Sequence, residues 1–95
     1  MSRANLNDLQ AFVVITREGS FTRAAAQLGV SQSALSHTMR ALETRLGVRL
    51  LTRTTRSVSP TEAGQRLYLS MAPRFEEIEL ELAAVSEFRD TPAGN

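Results

Sequence analysis

Apolar residues recur along this chain at intervals of three and four, break off for a short hydroxyl-rich stretch, and then resume. Leu6, Leu9, Phe12, Val13 and Thr16 keep helical spacing, which predicts a first helix over 5–18 with Gly19 as its stop. "SFTRAAAQLG" predicts a short second helix that Ser20 or Thr22 can cap and Gly29 can end. A third follows at once, capped by Ser31, with Val30 placed to staple onto Leu35. Leu35, Met39, Leu42 and Leu46 form its apolar seam, and Gly47 closes it.

"VRLLTRTTRSVSP" differs in kind. It is β-branched and hydroxyl-rich, and it predicts a hairpin with strands at 48–52 and 57–59, ended by Pro60. Thr61 can then cap a fourth helix over about 62–88, roughly 40 Å long. Leu67, Met71, Phe75, Ile78, Leu82 and Val85 give that helix a seam close to a heptad repeat. Pro73 lies inside it, so a kink or a break is expected there.

The polar side of the third helix is unusual. Ser33, Ser36, His37, Arg40 and Thr44 share one face, where a merely solvated helix would carry Glu and Lys. The second and third helices are joined only by Gly-Val-Ser, with Ala25, Gly29 and Leu35 at fixed offsets from Phe21. A helix-turn-helix needs that pattern: a small residue where the helices approach, a tight turn, and an anchor beneath the second helix. The anchored helix then offers its outer face to a major groove. There Gln32 can pair with the N6 and N7 edge of adenine, Ser33 and Ser36 allow close approach, and Arg40 can reach guanine or phosphate. Thr22 and Ser31 stand beside helix N-termini suited to phosphate oxygens, and His37 can touch base or backbone.

Charge sharpens this picture. The net charge of the 95 residues is +1, but residues 1–60 carry eight arginines against Asp8, Glu18 and Glu43. Residues 61–95 carry three arginines against seven acids. Every basic residue is Arg, whose fork suits phosphate and guanine, although a GC-rich genome yields the same usage. Arg49, Arg53 and Arg56, with Thr52, Thr54 and Thr55, make the hairpin a basic wing for the backbone or minor groove.

The absence of cysteine removes disulfides and thiolate chemistry. The single histidine has no identified nucleophile or metal-ligand set around it, so no catalytic residue, metal or cofactor is expected. "AFVVI" is too short to span a bilayer, and no secretory signal opens the chain, so a cytoplasmic location is expected.

Four motifs stand in unbroken order between Leu6 and about Gly64: "GSFTRAA", "VSQSALS", "LE..LGV.LL.R" and "PTEAG". With them the chain resembles the N-terminal DNA-binding domain of the LysR-type transcriptional regulators. The resemblance implies a mainly α fold, a winged helix-turn-helix of three helices plus a two-stranded wing, followed by a long linker helix. It implies that Gln32, Ser33, Ser36 and His37 read the major groove, while Thr22, Ser31 and Arg40 hold backbone and Arg53 and Arg56 serve the wing. Two positions depart from the commonest family pattern. Ser33 stands where Pro is frequent and adds a polar group at the groove; Leu51 stands where Phe is frequent and alters core packing.

The expected organisation is a DNA-binding unit at 1–60, a linker and dimerisation helix at 61–89, and at 90–95 the start of a connection to an effector-binding domain. The chain stops at Asn95, where that domain is expected to begin, so a truncated regulator is expected ahead of a stand-alone short relative. The implied partners are double-stranded DNA carrying an inverted repeat and a second copy of the chain. RNA polymerase is a candidate partner of the full-length protein, and a small-molecule effector would bind only through the absent domain. Met71, Phe75, Ile78, Leu82 and Val85 form the expected dimer interface, although the first half of this seam can instead pack on helix one. Two-fold symmetry would set two recognition helices roughly 34 Å apart.

Two other readings carry less. A protein-binding winged helix conflicts with a basic, hydroxylic third helix and wing, where Glu43 is the only acid between residues 19 and 61. RNA binding lacks an exposed aromatic row for stacking, because Phe12, Phe21, Phe75 and Phe88 all fall on core or seam positions.

Overall fold

A computed structural model describes residues 5–54 and 57–90. Each of its first three helices starts at a capping side chain. Asn5 accepts the Asp8 amide at 2.9 Å, Ser20 that of Arg23 at 3.1 Å, and Ser31 that of Ala34 at 3.0 Å. These caps satisfy amides that have no partner inside a helix. They start α1 (Leu6–Glu18), α2 (Phe21–Leu28) and α3 (Gln32–Leu46). Of the two cap candidates for α2, Ser20 is the one used.

The helices also end alike, on Gly19, Gly29 and Gly47, all in the left-handed region. At the last two, the glycine amide and the next one converge on a single carbonyl, Ala25 for Gly29 and Val30, Glu43 for Gly47 and Val48. A side chain would strain both turns.

The core is built around α1. Ala11, Phe12, Val13, Val14 and Ile15 are all buried, so the middle of the helix is covered on every side. It packs against α2, α3, the second wing strand and the last helix. The expected seam is corrected here, because Leu6 in the first turn remains exposed. On α3, Leu35, Met39 and Leu42 are buried, but Leu46 in the final turn is 42% exposed, so that seam ends one step early. Ala24 and Ala25 are buried, consistent with close approach of α2 and α3.

The wing is a two-stranded antiparallel sheet, β1 (Leu51–Arg53) and β2 (Val58–Pro60). Leu51 pairs with Pro60, Thr52 with Ser59, and Arg53 with Val58. The ladder begins later than 48 because Glu43 already holds the amides of Val48 and Leu50, the first through its carbonyl and the second through its carboxylate. Pro60 belongs to β2 rather than ending it. At the last rung its missing N–H removes no interior ladder bond.

Helix α4 (Glu62–Ser86) is capped by Thr61, which accepts the Gly64 amide at 3.1 Å, and continues into a 3-10 turn over Glu87–Asp90. It runs through Pro73 without the break allowed from sequence. Leu69 and Pro73 are both exposed, so water can serve the carbonyl that Pro73 leaves without a donor. Leu67, Tyr68, Met71, Ala72 and Phe75 pack against the core. Farther on, no other helix or strand among the described residues covers it, and it carries the molecule to an extent of 53 Å against 30 and 22 Å. Among the described residues, no helix is long and apolar enough to cross a membrane.

Candidate nucleic-acid interface

Helix α3 lies over the core on Leu35, Met39 and Leu42, and that placement turns its polar stripe outward. Gln32, Ser33, His37, Arg40 and Thr44 are exposed, and Ser36 is half-buried. A groove of about 720 Å³ separates the later part of α3 from the wing. Arg40, Thr44, Arg49, Thr52 and Arg53 all line it.

Of the three acids of the first sixty residues, Glu43 alone lines this groove. Asp8 pairs with Arg45 at 3.3 Å, joining the start of α1 to the end of α3. Glu18 takes Arg23 at 3.5 Å, with Arg17 farther off at 4.0 Å. Glu43 lines the groove, but its Oε2 accepts the amides of Leu50 at 2.8 Å and Leu51 at 3.1 Å. Among the described residues, none of Arg40, Arg49 and Arg53 forms an ion pair. With three arginines against one carboxylate, the groove is net positive beside small hydroxyls, which suits a polyanion.

Four of the expected contact residues are already paired with one another. The Thr22 hydroxyl donates to Gln32 Oε1 across 3.4 Å, so both stand at the mouth where α2 and α3 begin. Arg53 Nη2 donates to Ser36 Oγ at 2.8 Å, and the guanidinium carbon lies 3.9 Å from the Phe21 ring centroid. Ser31 spends a lone pair on the Ala34 amide and keeps its hydroxyl proton for an outside acceptor. Thr55 and Arg56 lie outside the described residues.

Sequence reasoning passes over two groups at this site. Phe21 reads as core from its pattern, yet it is also the surface on which Arg53 rests. Glu43 reads only as a lone negative charge, and its isolation in a basic stretch was the signal that could have found it. On α4, Met71 and Phe75 are partly buried against the core, whereas Ile78, Leu82 and Val85 are 48%, 62% and 64% exposed.

Comparison with known proteins bears on both features. A family model described as "Bacterial regulatory helix-turn-helix protein, lysR family" matches residues 6–65. The HTH-type transcriptional regulator PgrR of Escherichia coli K12 is 52% identical over 94 residues, which cover 99% of this chain and 31% of PgrR. A crystal structure of the BenM DNA-binding domain in complex with catB site 1 DNA superposes with a TM-score of 0.75 at 30% identity, covering 93% of this chain and 98% of that one. Full-length AphB, a Vibrio cholerae virulence activator, gives 0.80 at 30% identity over 85% of this chain and 28% of its own. The chain spans about a third of the length of the curated relatives it matches.

Proposed function

The chain belongs to the lysR family of bacterial regulatory helix-turn-helix proteins, and on that premise we propose that it is the DNA-reading part of a transcriptional regulator, binding an inverted repeat as a dimer. The observation that carries this reading is the outward stripe of α3 beside a groove lined by three arginines and one acid, with none of those arginines in an ion pair among the described residues. In this reading α3 enters the major groove, with Gln32, Ser33, Ser36 and His37 toward base edges. Arg40, Thr22 and Ser31 hold phosphates, and Arg53, Thr55 and Arg56 act from the wing. Residues 1–60 do the reading, 61–89 link and pair two copies, and 90–95 lead away. The chain has no catalytic task and works in the cytoplasm. Contacts with an effector or with RNA polymerase fall to the rest of a full-length regulator.

The test starts from duplexes that the wild-type chain selects from a random-sequence library. The selected duplexes are expected to share an inverted repeat, with half-sites about one helical turn apart. Binding should weaken steeply with salt, and Gln32→Ala should lose about 1–3 kcal/mol of preference over a scrambled duplex. If no duplex is enriched at low salt and Gln32→Ala matches wild type, the groove reading is wrong.

Pairing through α4 is tested separately. The exposed row of Ile78, Leu82 and Val85 continues past the last residue that the core covers, and a second copy is the cover that fits it. Leu82→Glu keeps a good helix former but puts a charge into that row. We expect its sedimentation coefficient to fall to that of a monomer and its affinity for the selected repeat to drop at least about tenfold. An unchanged sedimentation coefficient would remove Leu82 from the interface.

A further inference from the structure

We propose that Arg53 is a positioning residue that sets Ser36 as a hydrogen-bond donor toward the groove, so that the pair selects against cytosine at the base Ser36 faces. This deepens the proposed DNA reading and rests on it.

Arg53 is the last residue of β1, yet its side chain contacts two other elements. The guanidinium lies 3.9 Å over the Phe21 ring of α2, and Nη2 reaches Ser36 Oγ of α3 at 2.8 Å. Phe21 is itself buried, so the ring is a fixed platform rather than a loose surface group. The ring contact and the hydrogen bond to Ser36 together restrain the guanidinium, and with it the direction of its N–H bonds. A cation held in this way is not the free phosphate ligand that a wing arginine suggests from sequence.

The consequence falls on Ser36. A guanidinium has donors only, so the hydroxyl oxygen must accept. With a charged donor on one lone pair, the oxygen is a poorer acceptor and its proton a better donor. That proton then points to whatever lies outside α3. Guanine O6 and N7, adenine N7 and thymine O4 all accept in the major groove, whereas cytosine offers an N4 amino donor. A free serine would tolerate all four bases. A serine polarised by Arg53 disfavours cytosine.

The probe is the duplex the wild-type chain selects, with each base pair replaced in turn and titrated at two salt concentrations. Wild type is expected to bind about tenfold less well when cytosine occupies one particular position. Ser36→Ala should abolish that preference. Arg53→Lys keeps the charge but lacks the planar fork that can stack and donate together. It should lose most of the cytosine discrimination while its salt dependence stays as in wild type. Arg53→Met combined with Ser36→Ala should discriminate no worse at that position than Ser36→Ala alone.

The proposal fails if Arg53→Lys discriminates like wild type while Arg53→Met weakens every duplex equally and lowers the salt slope by about one, since Arg53 is then a phosphate cation. It also fails if losses of preference in the single variants add up in the double. A wild-type chain that enriches no duplex overturns the DNA reading itself, an outcome distinct from either of these.

Discussion

Gly64→Ala is expected to cost the chain at least about 3 kcal/mol of stability, a large share of the ~5–15 kcal/mol that holds a small domain. In an ordinary helix the same change would help by about 1 kcal/mol, because alanine is the better helix former. Tertiary packing reverses the sign. A Cβ at Gly64 would sit 2.0 Å from the Leu50 carbonyl oxygen, 2.9 Å from its carbon and 3.2 Å from Pro60 Cβ. The first two are backbone atoms and cannot swing aside. Thr61 also holds the two segments together, its amide donating to the Leu50 carbonyl at 2.9 Å and its hydroxyl to the Arg49 carbonyl at 2.6 Å. Moving α4 away to make room would loosen these bonds and the packing of Leu67 and Met71. A thermal melt followed by helical circular dichroism should show a midpoint lower by at least about 12 °C. A midpoint within about 2 °C of wild type would mean that α4 and the strand are not held this closely.

Glu43→Ala is the second large effect, at about 2–3 kcal/mol, because one side chain satisfies two amides at the root of the wing. A charge-assisted bond contributes more than a neutral one, and Glu43 is only half-buried, so water recovers part of the loss. Glu43→Gln retains a neutral acceptor and should fall between wild type and alanine. Hydrogen exchange separates this local role from a general loss of stability. The Leu50 and Leu51 amides should exchange faster in Glu43→Ala by more than the fall in global stability explains, while amides in the middle of α1 follow the global change alone. Equal acceleration everywhere would show that Glu43 does not order the wing locally.

These two residues mark where reading along the chain stops working. Asn5, Ser20, Ser31 and Thr61 cap their helices, and Gly19, Gly29 and Gly47 end theirs, as local chemistry requires. Cap and stop act within three or four residues, which is why the helix boundaries were legible. The polar stripe of α3 was legible too, since helical geometry alone puts Ser33, His37 and Arg40 on one face. The wing shifted along the chain because its register depends on Glu43, seven and eight residues before the amides it binds. The extent of burial on α1 was also beyond periodicity. A helix surrounded on all sides buries Val14 and Ile15 along with Phe12, and only its neighbours decide that it is surrounded.

Family membership, the helix-turn-helix and the candidate recognition face therefore follow from residue order, because caps, helix stops and apolar spacing are short-range physics. Three features came only from the folded arrangement. Glu43 clamps the wing, Gly64 admits α4 against the Leu50 carbonyl, and Arg53 stacks on Phe21 while bonding Ser36. Each joins atoms of different secondary-structure elements or the segments between them. Their distances are set by how the helices pack around α1, and no local spacing rule contains that packing.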